Sequence, residues 1–387
     1  MFLSGITFAA ILPYGAVVGI EVLGLSNSTY AIIVGMGAAI SALVSLSFGY
    51  ASDIVRDRRL LILFCAAVGF ASYLVLYLLR SPIAFVLVTC LTAPIAAALF
   101  SQLFSYARTY YDLHDPARAS FMVSILRTVF AVAWIIVPPF VGFYVTNNSI
   151  FEIYIASSLA YFACACFVLI GFRSPRLFVP RPKRAAQEEA AGRHRGFHAG
   201  VLSGIFGLTL IKIAMVLTST VMPLAIINNF GGQISDIGLF AGLVAALEVP
   251  FMIAWAFLGT RISKEAILTV NGFIFAAFVG LAAVSGNMGH IFVLAAMNAL
   301  AASALLSIQI SYLQEVIRGR VGLSTSLSDL VGIVSSFAAA TLFGVLTASG
   351  NYRLALVAAS TLCVIGSASI VTGNLRRIFP TVKPSGG

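Results

Sequence analysis

The chain has 387 residues, of which 60% are hydrophobic and only 9% charged, with 23 Lys and Arg against 13 Asp and Glu for a formal net charge of +10. An average soluble domain carries about 25% charged residues, so this supply cannot cover a water-facing surface, and a soluble enzyme is excluded. The basic residues are scattered among short loops between apolar runs rather than gathered on one face, which points to membrane topology and away from nucleic acid.

Apolar runs recur from end to end, each continuous over the roughly 20 residues that a helix needs to cross a hydrocarbon core. They lack the alternation of β-barrel segments, so the expected fold class is an all-α membrane protein whose helices satisfy their own backbone hydrogen bonds in lipid. The expected spans are residues 1–23, 29–52, 59–79, 82–108, 119–146 and 150–172, then 199–228, 234–259, 264–285, 288–314, 321–348 and 353–373. That is about twelve transmembrane helices in two groups of six. The first run is apolar from Met1 onward, without the basic opening of a signal peptide, and reads as the first helix.

Between the groups lies a polar stretch, residues 173–198, holding Arg173, Arg176, Arg181, Lys183, Arg184, Arg193 and Arg195 with three prolines. The positive-inside rule makes it a cytoplasmic linker, and its composition leaves nothing to bury, so weak order is expected. The expected organisation is a six-helix bundle over 1–172, the linker, and a second bundle over 199–387 with a short tail. Counting sides from the linker places both termini in the cytoplasm and Arg80 and Arg353 on the opposite side. Two six-helix groups joined by a basic loop suit parallel transporter repeats with a binding site near the midplane. "ARASFMVSILRTV" (Ala117 to Val129) aligns without gaps on "GRVGLSTSLSDLV" (Gly319 to Val331), matching Arg118 to Arg320 and Ser124 to Ser326 and setting Arg127 opposite Asp329.

The five cysteines, Cys65, Cys90, Cys164, Cys166 and Cys363, fall inside apolar runs without metal-ligand spacing and read as small packing residues. The histidines, His114, His194, His198 and His290, lie in or near loops. No nucleotide-binding glycine loop precedes a Lys-Ser/Thr pair, so no cofactor, metal or ATP site is expected.

The loop "GYASDIVRDRR", with Gly49, Asp53, Arg56, Arg58 and Arg59, resembles the signature loop of the major facilitator superfamily. That resemblance implies the major facilitator fold, with Gly49 allowing close helix approach and Asp53 set against a neighbouring helix N-terminus. Within the superfamily, "SQLFSYARTYYD", "SILRTVFAVAWIIVPP", "ALEVPFMI" and "YLQEVIRGRVG" resemble the bacterial sugar efflux transporters. The chain departs from them at Val137, where they have Gly before the paired prolines, and at Asp329, where they tend to have Asn. The second-group loop "GTRISKEA" keeps Gly259 and lacks the aspartate.

Charges inside a membrane are costly and are functional candidates by default. Arg108, Arg127, Lys212, Glu248 and Asp329 stand out. The facilitator resemblance sets helices 5 and 8 face to face and helices 7 and 11 side by side, which implies the pairs Arg127 with Glu248 and Lys212 with Asp329. Such pairs either hold helices together or are broken by substrate or a proton; both readings stand. Arg108 reads either as a cavity residue or as a side chain snorkelling from a helix end. Gln102, Asn228, Asn298 and Gln309 are candidates for reading hydroxyls, with Trp134, Tyr14 or Trp255 as ring platforms. Interhelical hydrogen bonding is the alternative for each. Pro13, Pro94, Pro223 and Pro250 mark expected kinks.

The expected function is secondary active transport by alternating access, proton-coupled export of sugars or similar small polar solutes, by a monomer in the bacterial inner membrane. Its partners are then a small-molecule substrate, protons and the bilayer, and no nucleic acid. The rivals are a multidrug exporter, a metabolite importer of the same superfamily, and a lipid-handling membrane protein.

Overall fold

The computed structural model describes residues 1–55, 57–179, 199–316 and 321–378. Among these residues the regular structure is helical throughout: α1 Phe2–Ala9, α2 Gly15–Val17, α3 Asn27–Ile54, α4 Arg59–Leu79, α5 Pro82–Leu87, α6 Ala93–His114, α7 Ala119–Thr146 and α8 Glu152–Phe172. They continue as α9 Ala199–Asn228, α10 Ile234–Leu258, α11 Lys264–Val284, α12 Met288–Val316, α13 Val321–Leu346 and α14 Tyr352–Ile378. Among the described residues, eleven segments are long and apolar enough to cross a membrane. The chain is a multi-pass membrane protein, and its spans carry exposed large apolar side chains such as Leu46 at 73% and Val284 at 75% exposure.

The expected first span is present as a broken helix. Pro13 has no N–H to give the Ala9 carbonyl; α1 stops at Ala9, and after a turn the helix resumes as α2 and a π turn, Val18–Val22. Pro94 has the same effect in the fourth span. It withdraws the donor for the Cys90 carbonyl, the Ala93 N–H reaches back to the Val88 carbonyl, and a π turn over Val88–Thr92 joins α5 to α6. Elsewhere α7 and α9 run over the residues read from the sequence. Ser26, Ser81 and Ser263 cap α3, α5 and α11, each accepting from a backbone N–H three residues on.

Two compact units form, Met1–Glu188 with Ile226–Ala246, and Glu189–Ala225 with Leu247–Gly387. The first is centred on Ile62, Cys65 and Ala66 of α4, Ala96 and Leu99 of α6, and Tyr161 and Cys164 of α8. Gly69 is what lets α4 and α8 meet there: a Cβ on it would touch the Tyr161 ring at 2.5 Å. Tyr73 then stacks on Tyr161 and Tyr154 at centroid distances of 5.7 and 6.1 Å. In the second unit α11 packs against α12 and α14. At its α9–α14 crossing, a Cβ on Gly366 would lie 2.6 Å from the Gly207 carbonyl. Small residues at such crossings allow the close backbone approach that drives helix association in lipid.

Candidate functional site

The most concentrated chemistry in the first unit is a phenyl wall on three helices. Phe100 of α6 lies 4.5 Å from Phe130 of α7 and 4.7 Å from Phe104, centroid to centroid, and Phe8 of α1 lies 6.2 Å from both Phe100 and Phe130. Phe100 and Phe104 are four residues apart, so they share a helix face. The Arg127 guanidinium carbon sits 5.8 Å above the Phe104 ring, a cation–π contact. Arg127, Phe130 and Trp134 follow at spacings of three and four along one face of α7, and all four phenyl rings and Trp134 are half-buried while Arg127 is exposed.

The expected site residues fall into distinct places. Arg127 and Trp134 share the stripe that carries the wall. Gln102 does not: it is buried at 8% exposure on the α6 stripe of the core residues Ala96 and Leu99, turned away from Phe100 and Phe104. Arg108 continues the phenyl stripe one turn further, where its side chain is 69% exposed and lies 3.7 Å from Asp112, the geometry of a snorkelling helix-end cation. Tyr14 is fully buried and donates its hydroxyl to the Pro138 carbonyl at 2.7 Å, so its ring has no face free for a ligand. Asn228 donates to Glu21 Oε1 at 2.8 Å.

In the second unit, Trp255 donates Nε1–H to the Leu300 carbonyl at 3.1 Å, joining α10 to α12. Glu248 is half-buried two turns before Trp255 on the same α10 face. Asn298 is half-buried and Gln309 buried, three turns apart on one α12 face. Lys212 is half-buried and Asp329 exposed. Among the described residues the ion pairs are Arg59 with Asp57, Arg108 with Asp112 and Arg118 with Asp115, so the expected Lys212–Asp329 pair is not formed. Arg127 and Glu248 belong to different units.

The signature loop is built into the first unit. Arg58 donates to Ser105 and Thr109 hydroxyls of α6, each at 3.1 Å. Arg59 grips Asp57 with Nη2 at 2.7 Å and Nε at 3.0 Å, gives Nη1–H to the Gly171 carbonyl at 2.9 Å, and lies 4.7 Å from the Phe172 ring centroid. A cation on the last carbonyls of α8 complements that helix's negative end. A Cβ at Gly49 would meet nothing within 4 Å, so the close approach expected there is not what the described residues show. The Asp53 side chain, Arg56, the linker beyond Val179, and, in the repeat segment, Gly319, Arg320 and the side chains of residues 321–326 lie outside the described residues. The phenyl wall was missed from sequence because only the i, i+4 spacing of Phe100 and Phe104 hinted at it, and the chain has 30 phenylalanines.

No protein-family model matches the chain. A protein named "Putative sugar efflux transporter" from Deinococcus radiodurans is 24% identical over 365 residues, covering 91% of this chain and 90% of that protein. "Sugar efflux transporter A" from Escherichia coli is 28% identical over 292 residues, 73% of this chain and 71% of that one. Among solved structures, a variant of the peptide transporter POT superposes with a TM-score of 0.80 at 14% identity, over 97% of this chain and 93% of its own. The resemblance to sugar efflux transporters read from four short stretches therefore extends along most of the chain. The fold is that of major facilitator transporters, and the relatives and neighbours are transporters rather than enzymes.

Proposed function

We propose that this protein is a secondary transporter that exports sugars or similar small polar solutes by alternating access, coupled to protons. The observation that carries the reading is the phenyl wall with Arg127 above it, in a chain similar along most of its length to proteins named for sugar efflux. Ring faces suit the apolar C–H faces of a pyranose, and a guanidinium offers five donors in a fixed fork to its oxygens. Convergent polar groups on an otherwise apolar wall are the usual form of a small-molecule site. A wall of rings without a cation would instead suit hydrophobic drugs, and the Arg127 guanidinium favours a polar solute over that rival.

Coupling falls to Glu248, with Asp329 second, because a carboxylate within a span is where a proton is most readily taken up and released. In this proposal Arg127 and Glu248 act as one unit. The two functional halves are 1–172 and 199–387, the linker 173–198 and both termini face the cytoplasm of a bacterial inner membrane, and the protein works as a monomer. The test is a thermal-shift screen of the purified protein against sugars, other metabolites and drugs, since a ligand that binds the folded state raises its apparent stability. Counterflow of the stabilising sugars in proteoliposomes follows. Stabilisation by sugars that is lost in Arg127→Gln supports the reading; stabilisation by hydrophobic drugs alone overturns it.

A further inference from the structure

Within the first unit, α3 and α6 touch and then part. A Cβ at Gly37 would lie 3.0 Å from the Thr89 carbonyl oxygen, and Cys90 donates its thiol to the Ile33 carbonyl at 3.5 Å, so α3 lies tight against the π turn Val88–Thr92. One turn further along, a cavity of about 200 Å³ opens between the two helices. Ser41, Ser45 and Phe48 of α3 and Pro94, Ala98 and Ser101 of α6 line it. On each helix the three follow at i, i+4 and i+7, so each contributes one continuous face. The α6 face is set roughly a quarter-turn from the one that carries Phe100 and Phe104. Phe48 is fixed in place by stacking on Phe64 at a centroid distance of 6.3 Å.

The hydroxyls decide what this cavity holds. A serine inside a span ordinarily gives its hydrogen to a carbonyl three or four residues back on its own helix, as Ser47, Ser72 and Ser101 do. Ser41 and Ser45 make no hydrogen bond among the described residues, and both line the cavity. An unpaired hydroxyl facing hydrocarbon is costly, so the cavity suits water or a hydroxylated solute and not a lipid chain. Ser101 keeps acceptor lone pairs for the same solute. At about 30 Å³ per water the space equals roughly six or seven waters, below the roughly 300–1,000 Å³ of drug-sized sites. One small polyhydroxylated ring matches it, with the Phe48 ring for its apolar face. We infer that the α3–α6 cavity binds a single monosaccharide-sized polyol through the Ser41, Ser45 and Ser101 hydroxyls. It is a site of its own, apart from the phenyl wall; only the choice of a sugar as occupant rests on the export reading.

The experiment is the rate at which a charged maleimide labels Val44→Cys in the full-length protein in liposomes, with the parent, which has five native cysteines, as the blank. Val44 also lines the cavity, and replacing it leaves all three serines in place. Leu46→Cys, 73% exposed on the opposite side of α3, is the control and should stay unlabelled in lipid. Glucose should slow Val44→Cys labelling saturably, about tenfold at ten times its dissociation constant, while sucrose at the same concentration should not. Ser41→Ala should weaken that protection several-fold, and Ser41→Leu, which fills the cavity from an exposed position, should abolish it. A Val44→Cys thiol that stays unlabelled, or whose labelling glucose leaves unchanged, overturns the site. Sugar stabilisation that Arg127→Gln removes, together with unslowed Val44→Cys labelling, also overturns the cavity and leaves the phenyl wall standing. Protection that survives Arg127→Gln and is lost in Ser41→Leu supports the cavity even where the phenyl-wall reading fails.

Discussion

Replacing Arg59 by alanine removes its ion pair with Asp57, its hydrogen bonds to the Gly171 and Ser174 carbonyls and its contacts with the Phe172 and Phe178 rings. Its side chain is 9% exposed and that of Asp57 16%, so the pair is largely buried and Asp57 would be left without its cation. Breaking a buried pair by removing one partner costs about 3–5 kcal/mol, and the lower end applies here because Asp57 keeps some contact with water. The lost hydrogen bond to Gly171 and the contact with Phe172 are part of the same arginine and are contained in that figure. At about 2 °C per kcal/mol for a chain of this length, Arg59→Ala should melt about 6 °C lower. Arg59→Lys keeps the charge but neither forks onto Asp57 nor lies flat on Phe172, and should fall between the two. The assay is thermal unfolding in detergent followed by a thiol-reactive fluorophore, which reports Cys65 and Cys164 as the α4–α6–α8 core that buries them opens. An alanine variant melting within about 1 °C of the parent would refute the claim that this arginine ties α4 to the end of α8.

Three further outcomes are expected. Lys212→Met should raise the melting temperature by about 2–4 °C while abolishing transport, because a half-buried cation with no ion-pair partner among the described residues is retained at the expense of stability; a lower melting temperature would show that Lys212 is structurally satisfied. Gly69→Ala should destabilise by about 1–3 kcal/mol, since its Cβ meets the Tyr161 ring at 2.5 Å, and the same fluorophore melt measures it. Glu248→Gln should lose proton-driven uptake in vesicles and retain counterflow, which needs no net proton movement; wild-type proton-driven transport in that variant removes Glu248 as the carrier.

The membrane class and most helix bounds were legible in the sequence. They rest on local quantities: the length of an apolar run against the rise of a helix, and the proline that withdraws one particular donor. Pro13 and Pro94 were expected to kink their spans and do so, one by breaking α1 from α2 and the other through a π turn. The basic loop after α3 was also found from sequence, as a signature loop with Asp53 set against a neighbouring helix N-terminus. The fold gives Arg58 and Arg59 partners on α6 and α8 that no spacing in the sequence announces.

What only the tertiary structure decided is which face of each helix meets which neighbour. In water the apolar stripe of a helix marks its buried side; in lipid both the packed and the bilayer-facing sides are apolar, and that signal vanishes. Gln102 was therefore expected in a cavity and lies in the core, Tyr14 was expected to stack on a ligand and is fully buried on the Pro138 carbonyl, and the wall of Phe8, Phe100, Phe104 and Phe130 went unnoticed. Residues that carry charge were visible one by one, because charge is scarce in this chain. Residues that act through a shared surface were not, because that surface is assembled from α1, α6 and α7, and only their packing brings it together.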